Sequence, residues 1–209
     1  MNTEHADELD TAARVLATAS RLFYAHGVRA VGVERIVAES GVAKTSLYRH
    51  FHTKDDLIVA FLEREDREFW MQWDEVINVA ADDPTRELMA LLHWIGQRVS
   101  RGGYRGCPQI NVAAEFSDPN HPARKIRARH KATMFERLQT LVSRIGPSRP
   151  EDVAYQIALI IDGAFTSDGR LSRVGATRIL QSAARSLIDG ARVRGARSRA
   201  RAKSPSRRR

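Results

Sequence analysis

Residues 27–57 read GVRAVGVERIVAESGVAKTSLYRHFHTKDDL, and the spacing of their apolar residues and glycines is the most informative in the chain. Apolar residues at helical spacing predict a short helix over about Val33–Glu39 and a second over about Ala43–His50. Gly41 allows a tight turn between them. Two short helices joined by a glycine-containing turn form the helix-turn-helix pattern. The motif T-K-D-D at 53–56 places an acid three residues after a threonine N-cap, which predicts that another helix follows.

The second helix of this pair has two different faces. Leu47 and Phe51 are four residues apart and are predicted to point into the core. Thr45 and Arg49, also four apart, then point the opposite way. A DNA major groove accepts these groups, because hydroxyls and a forked guanidinium hydrogen-bond to base edges or phosphates. A plain helical hairpin with a solvated polar face is the alternative interpretation.

Helical periodicity continues on both sides of this stretch, and strand-like alternation is nearly absent. An opening helix is predicted over about Asp7–Ala25, and a long helix from Lys54 to about Ala80. Four or five further helices are predicted at roughly 84–101, 108–116, 120–145, 150–166 and 172–190. The predicted fold is all-α, with a three-helix helix-turn-helix domain at 7–54 joined by the long helix to a larger helical domain at 55–190.

The excess positive charge lies at the end of the chain. The net charge is +9, and residues 191–209 hold nine basic side chains and no acidic one. Residues 1–190 therefore hold 25 basic and 25 acidic residues. The 191–209 segment cannot bury enough apolar surface to offset its ordering entropy, so we predict a disordered basic tail. This tail either attracts phosphates without sequence preference or is a solvated extension without a role.

The cysteine count and the motifs limit the function classes. Cys107 is the single cysteine among 209 residues, which excludes an internal disulfide framework or a multi-cysteine metal site. No Gly-rich phosphate loop, G-x-S-x-G or H-E-x-x-H motif occurs, so we expect no enzyme, no catalytic or metal-binding residues and no cofactor. A nucleophilic or redox-sensing Cys107 assisted by His93 is the weaker alternative. His121 and His130 stand alone in the sequence and are expected to be solvated.

The expected location is the cytoplasm. No stretch approaches 18 consecutive apolar residues, so neither a transmembrane helix nor a membrane partner is expected. Residues Met1–Asp10 are acidic and polar, unlike a secretory signal peptide.

At the helix-turn-helix the sequence resembles a TetR-type (TetR/AcrR family) transcriptional regulator. The run GVAKTSLYRHF at 41–51, followed by Lys54 and Leu57, is similar to that family's turn, second helix and following helix start. The residues FYAHG at 23–27 are similar to the end of its first helix.

The resemblance implies a homodimeric repressor that binds a palindromic operator in double-stranded DNA and is released by a small-molecule effector. One recognition helix per subunit, about 43–50, would lie in a major groove. The residues implied to contact bases or phosphates are Lys44, Thr45, Ser46, Tyr48, Arg49, His50 and Lys54. Gly32 and Ala43 depart from the family pattern, which often has Ser or Thr at the first position and Ser at the second. The recognition helix therefore lacks a side-chain cap.

In that family the C-terminal domain binds the effector and dimerises. The apolar stripes of the last two predicted helices are candidates for the dimer interface, unless they only close the chain's own core. The interface candidates are Ile157, Ile161, Phe165, Leu180, Ala183 and Leu187. The candidates for the ligand pocket mix aromatic walls with a few polar groups. They are Phe69, Trp73, Met89, His93, Trp94, Tyr104, Cys107, Asn111 and Phe116. A non-specific nucleic-acid binder driven by the basic tail is the rival function.

Overall fold

The computed structural model describes residues 3–80, 83–167, 170–173 and 175–203 of the chain. Within these ranges every regular element is helical, which confirms the predicted all-α fold class. The elements are α1 (Thr3–His26), α2 (Val33–Ser40), α3 (Lys44–His50), α4 (Lys54–Val79), α5 (Pro84–Val99), α6 (Pro108–Ala114), α7 (Pro122–Ile145), α8 (Pro150–Phe165), a 3-10 helix (Arg170–Arg173) and α9 (Ala176–Lys203). No helix among the described residues is both long enough and apolar enough to cross a membrane.

The predicted helices agree closely with the observed ones except at the end of α9. Both α2 and α3 end within one residue of their predicted limits, and α4 begins at Lys54 as predicted. The sequence predicts disorder over 191–209, but α9 continues to Lys203, so the prediction is wrong for 191–203. Residues 204–209 lie outside the described residues. Arg and Ala are strong helix formers, and an existing helix extends through them without a new nucleation step.

The described residues form two compact units, and the first contains the helix-turn-helix. It comprises residues 3–70 and 107–130. Its core is formed by apolar side chains of α1 to α4, of the connections between them, and of α6 and α7. The buried members are Val15, Ala19, Leu22, Phe23, Val28, Val31, Val33, Ile36, Val42, Leu47, Leu57, Ile58, Phe61, Leu62, Val112, Ala123 and Ile126. Burial of each large apolar side chain contributes roughly 1.5–3 kcal/mol, so this core is what holds the short helices in place.

The first unit extends beyond the domain predicted at 7–54. Residues up to 70 and the later segment 107–130 belong to it as well, so the predicted boundary is corrected. The side-chain amide of Gln109 donates to the backbone carbonyl of Leu62 at 2.8 Å, inside this unit. A domain boundary drawn at one point of the sequence cannot show that the later segment 107–130 packs with residues up to 70.

The second unit comprises the described residues of 71–106 and 131–203, with α5, α8 and α9 packed together. Helices α5 and α9 approach closely at Gly96, where a Cβ atom would lie only 2.4 Å from the Thr177 hydroxyl oxygen. Glu87 on α5 is 2% exposed and accepts two hydrogen bonds from Arg144, at 2.7 and 2.8 Å. This bidentate pair compensates the buried charge of Glu87.

Four of the six candidate interface residues are buried in the core of this second unit. Each is at most 1% exposed, and they are Ile157, Ile161, Phe165 and Leu180. They cannot contact a partner, so their assignment to a dimer interface is wrong. The other two, Ala183 and Leu187, are half-buried. An apolar stripe shows that one face of a helix is buried, but not which surface covers it.

Candidate nucleic-acid interface

The turn between α2 and α3 depends on Gly41. This residue has φ of 65°, and its N–H donates to the carbonyl of Val37 at 3.1 Å, which ends α2. No atom lies within 4 Å of a Cβ built on Gly41, so the backbone conformation and not crowding favours glycine here. Val42 follows the turn and is buried, which anchors the start of α3.

The two faces of α3 are arranged as predicted. Leu47 is 1% exposed in the core of the first unit, and Phe51 is half-buried against it. The opposite face carries the exposed side chains of Lys44, Thr45, Tyr48 and Arg49. Ser46 and His50 are half-buried at the borders of the two faces. The helix therefore presents hydroxyls, a phenol and cations on one side.

The N-terminus of α3 has no side-chain cap. Ala43 occupies the N-cap with φ of −59° and ψ of 141°. Its carbonyl accepts from the N–H groups of Ser46 and Leu47 at 3.0 and 3.1 Å, but its methyl group accepts nothing. Gly32 likewise leaves α2 without a side-chain cap. The predicted absence of a side-chain cap on α3 is thus confirmed, and α2 shares it.

The start of α4 is capped as the T-K-D-D motif predicts. The Asp56 N–H donates to Thr53 Oγ1 at 3.1 Å, and the Thr53 N–H donates to Asp56 Oδ2 at 2.9 Å. This reciprocal pair is a capping box. It holds Lys54, the first residue of α4, at the positive end of the helix dipole.

Ion pairs around α3 set the charge that it presents. Lys44 Nζ lies 3.0 Å from Glu34 Oε1, so this cation of the recognition helix already has an anionic partner. The pKa of Glu34 is lowered by a hydrogen bond from its own backbone N–H and then by Lys44, and Glu34 in turn raises the pKa of Lys44. Arg21 and then Arg35 lower the pKa of Glu39. The Lys44–Glu34 ion pair joins α3 to α2, and no sequence pattern predicts it.

Three of the predicted pocket residues line one groove in the second unit. Met89, His93 and Trp94 lie along it, and its volume is about 530 Å³. The other lining residues have no signal in the sequence; they are Val76, Val79, Arg86, Ala90, Gln97 and Gln181. Trp73 lines a different groove of about 380 Å³, beside the Glu87–Arg144 pair. Tyr104 lines neither groove.

The remaining pocket candidates belong to the first unit and line neither of these grooves. Asn111 is exposed, whereas Cys107 is buried at the N-cap of α6. Phe69 packs edge-on against the ring of His130, with centroids 4.9 Å apart. Phe116 stacks on His121 at a centroid distance of 3.6 Å. The nine candidates therefore do not share one described cavity.

The expectation that two histidines are solvated is wrong. His130 is 1% exposed, and its Nδ1 lies 2.6 Å from Asp66 Oδ1. The side chain of His121 is 12% exposed and lies 3.4 Å from the carboxylate of Asp55. Isolation in sequence does not predict burial, because their partners come from α4. Among the described residues, no three His, Cys, Asp or Glu side chains form a group that could hold a metal ion.

We expect Ala43→Ser to stabilise the protein. A serine hydroxyl at this N-cap would accept from a backbone N–H in the first turn of α3, raising the free energy of unfolding by about 1 kcal/mol. Chemical denaturation measures the change. Ala38→Ser, at an exposed position inside α2, is the matched control and offers no cap. Equal stability of the two variants would contradict the assignment of Ala43 as an uncapped helix start.

The carboxyl groups of Glu34 and Glu39 should titrate below the ordinary pKa of 4.5. Because the folded-state pKa is lower than the unfolded one, each carboxylate stabilises the fold above about pH 4.5. That contribution is lost as the pH falls through the folded-state pKa. NMR titration of the side-chain carboxyl carbons measures both values. Lys44→Gln should raise the pKa of Glu34 and leave that of Glu39 unchanged; an unaltered Glu34 would count against its pairing with Lys44.

The helix-turn-helix of the first unit matches a known family. The sequence model of one protein family, the bacterial regulatory proteins of the tetR family, matches residues 15–61, which include α2 and α3. The transcriptional regulator LmrA of Bacillus subtilis is 31% identical over 117 residues, which cover 56% of this chain and 62% of LmrA. The transcriptional repressor NemR of Escherichia coli K12 is 26% identical over 118 residues, which cover 57% of NemR. The chain thus spans less than two thirds of the length of these relatives.

The fold is shared with solved structures over most of the chain. The crystal structure of SCO4454, a TetR-family transcriptional regulator from Streptomyces coelicolor, superposes with a TM-score of 0.82 at 28% identity. The superposition covers 87% of this chain and 96% of that protein. The family is one of regulatory proteins, in agreement with the expectation that the chain is not an enzyme. Residues 15–61, with the uncapped α3, the capped α4 and the outward polar face, therefore match the tetR family of bacterial regulatory proteins, and the chain shares the fold of a TetR-family regulator.

Proposed function

We propose that this protein is a sequence-specific DNA-binding transcriptional regulator, acting in the cytoplasm as a homodimer on a palindromic operator. One observation carries the proposal: α3 buries Leu47 and turns Thr45 and Arg49 outward beside the capped start of α4. That arrangement offers a rigid helix with polar side chains to the major groove. NemR is a repressor by name, and repression is the regulatory sense that we propose here.

Base reading would come from the outward face of α3. The Thr45 hydroxyl lies in the first turn, where a recognition helix meets base edges, and the Arg49 guanidinium lies one turn later. Arginine recognises guanine by two parallel hydrogen bonds to O6 and N7, a contact worth about 1–3 kcal/mol of discrimination. Lys44, Ser46, Tyr48 and His50 flank these two residues and would contact bases or phosphates nearby.

Lys54 would bind the phosphate backbone. It is the first residue of α4, where the N–H groups of the first turn have no intrahelical acceptor. A phosphate placed there would meet these N–H groups, the positive end of the helix dipole and the Lys54 ammonium together. Such contacts position a protein on DNA without reading the sequence.

Dimerisation would use the exposed side of α8. The apolar stripe of α8 that the sequence suggested for the interface is buried in the chain's own core. Tyr155 and Leu159 are 52% and 70% exposed and lie four residues apart on one face of α8. Exposed large apolar side chains at this spacing are typical of a helix that packs against a partner. Ala183 and Leu187 on α9 are half-buried and would contribute at the border of the same contact.

A small-molecule effector would bind in the second unit. The groove with Met89, His93 and Trp94 has apolar walls and a few polar groups, and its volume of about 530 Å³ suits a small ligand. Release from the operator then requires that the effector and DNA favour different conformations, with a coupling of about 1–3 kcal/mol.

Arg49→Ala and Lys54→Ala should have different effects on DNA binding. Arg49→Ala should relax the base preference by about tenfold at one or two operator positions, since it removes a base contact. Lys54→Ala should weaken binding to all sequences evenly and reduce the salt slope by about 1. Operator sequences come from selection on a random DNA pool, and affinities from titrations at several salt concentrations.

The same titrations separate this proposal from a tail-driven non-specific binder. Deletion of 194–209, which keeps the buried Ala191 and the hydrogen bond from Arg192 to the Ile145 carbonyl, should reduce binding to random DNA and keep the preference for the selected site. Equal loss of both would favour the tail as the DNA-binding element. The proposal fails if selection yields no palindrome, and Arg49 is no reading residue if its alanine variant keeps the wild-type preference.

Leu159→Asp should convert the dimer into monomers, because a carboxylate on the proposed contact would be buried without a partner. Sedimentation at several protein concentrations measures the change. Leu9→Asp is the matched control, since Leu9 is 60% exposed on α1 in the first unit. A Leu159→Asp protein that sediments like the Leu9→Asp protein would place the dimer contact elsewhere.

A further inference from the structure

A segment of the first unit far from α3 in sequence contacts the stretch that contains it. Residues 115–124, here called the brace, connect the end of α6 to the start of α7. Both carboxylate oxygens of Glu115 accept backbone N–H groups of the turn after α1: Oε1 from Val28 at 3.0 Å and Oε2 from Arg29 at 2.8 Å. Hydrogen bonds to an ionised acceptor are among the strongest in proteins.

The turn that Glu115 holds is shaped for this contact. Gly27 has φ of 85°, and a Cβ atom there would lie 3.0 Å from Glu115 Oε1. Glycine is therefore favoured both by the backbone conformation and by the approach of the carboxylate. The negative end of the α1 dipole disfavours a carboxylate at this place. The position of Glu115 thus depends on its two hydrogen bonds.

The other end of the brace reaches the first turn of α4. The Phe116 ring lies under the Arg29 guanidinium at 5.6 Å and stacks on His121. His121 Nδ1 accepts the N–H of Ala123 at 3.2 Å, which leaves its Nε2 facing Asp55 Oδ2 at 3.4 Å. At this distance the His121 ring and the Asp55 carboxylate are in electrostatic contact without a hydrogen bond.

The brace therefore contacts both ends of the stretch 28–55: Glu115 holds its start, and His121 lies against Asp55 at its end. Helices α2 and α3 lie between these two contacts in the sequence. Arg124 stiffens the brace itself by donating to the carbonyls of Phe116 and Ser117 at 3.2 and 3.3 Å. The apolar core beneath α2 and α3 is non-directional, so it holds the helices without setting their orientation sharply. The two hydrogen bonds that Glu115 accepts supply direction at one end, and the His121–Asp55 contact adds an electrostatic restraint at the other.

We propose that Glu115 is a positioning residue for DNA binding: it fixes the turn after α1 and thereby the orientation in which α3 meets DNA. Glu115 does not touch DNA in this role and acts through the backbone of Val28 and Arg29. The proposal rests on the DNA-binding function proposed above, and goes beyond it by assigning a role to the connection between α6 and α7.

Glu115→Gln tests the proposal by the sign of its effect. Removing a negative charge from the DNA-binding unit by itself strengthens binding to DNA. Loss of one hydrogen bond from the brace should instead weaken binding to the selected operator by about tenfold. The salt slope should not change, because no phosphate contact is lost. Asp118→Asn is the matched control: it removes the same charge from the same segment, where the Asp118 side chain accepts the nearby N–H of Asn120 at 2.9 Å.

A second variant keeps the charge. In Glu115→Asp the aspartate side chain is too short to accept from the N–H groups of both Val28 and Arg29. Operator binding should therefore weaken although the charge is unchanged. Thermal denaturation sets a temperature at which all variants are fully folded, so lost affinity cannot come from unfolding. Amide exchange at Val28 and Arg29 should become faster in both Glu115 variants, and this readout needs no DNA.

Three results would overturn the proposal: operator binding by Glu115→Gln as tight as by Asp118→Asn, full affinity in Glu115→Asp, or unchanged exchange at Val28 and Arg29. A wild-type protein without preference for any DNA site would instead overturn the proposed function. In that case the exchange measurement still tests whether Glu115 holds the turn.

Discussion

The burial of Leu47 is the contact on which the proposed DNA-binding surface depends. Helix α3 has seven residues, and an isolated helix of that length is not stable in water. It exists because Leu47 is buried in a core shared with α1, α2 and α4. The same contact decides which side faces outward, because Thr45 and Arg49 lie on the face opposite to Leu47. One apolar side chain therefore both forms the helix and aims its polar face.

Around that surface, polar contacts set details that apolar packing does not specify, namely where a helix begins, which charge it presents and how a turn is held. The capping box of Thr53 and Asp56 sets where α4 begins, and the Glu34–Lys44 pair sets the charge that α3 presents before DNA arrives. Glu115 adds directional bonds to a turn that the core holds only by apolar contact. Apolar burial thus stabilises the first unit and decides which face of α3 is outward, and these polar contacts add directional bonds at the turns and helix starts around it.

In the second unit, packing within the chain decides which apolar residues remain accessible to a partner. The α8 and α9 stripes are wide enough to meet a partner, yet Ile157, Ile161, Phe165 and Leu180 are already covered by their own chain. The surface that is left for a partner contains Tyr155 and Leu159. The groove with His93 and Trp94 likewise takes its walls from α4, α5 and α9, which no local pattern connects.

Local sequence patterns were enough to predict the helices, the turn at Gly41, the cap at Thr53 and the outward face of α3. These features arise from interactions between residues a few positions apart, which spacing and residue type reveal. The folded chain was needed to show that Glu115 holds Val28, 87 positions away, and that His130 is buried against Asp66, 64 positions away. It was also needed to show that the segment 107–130 belongs to the first unit and that α9 continues to Lys203. Contacts between distant segments depend on how the whole chain packs, and the residues that make them carry no local signal.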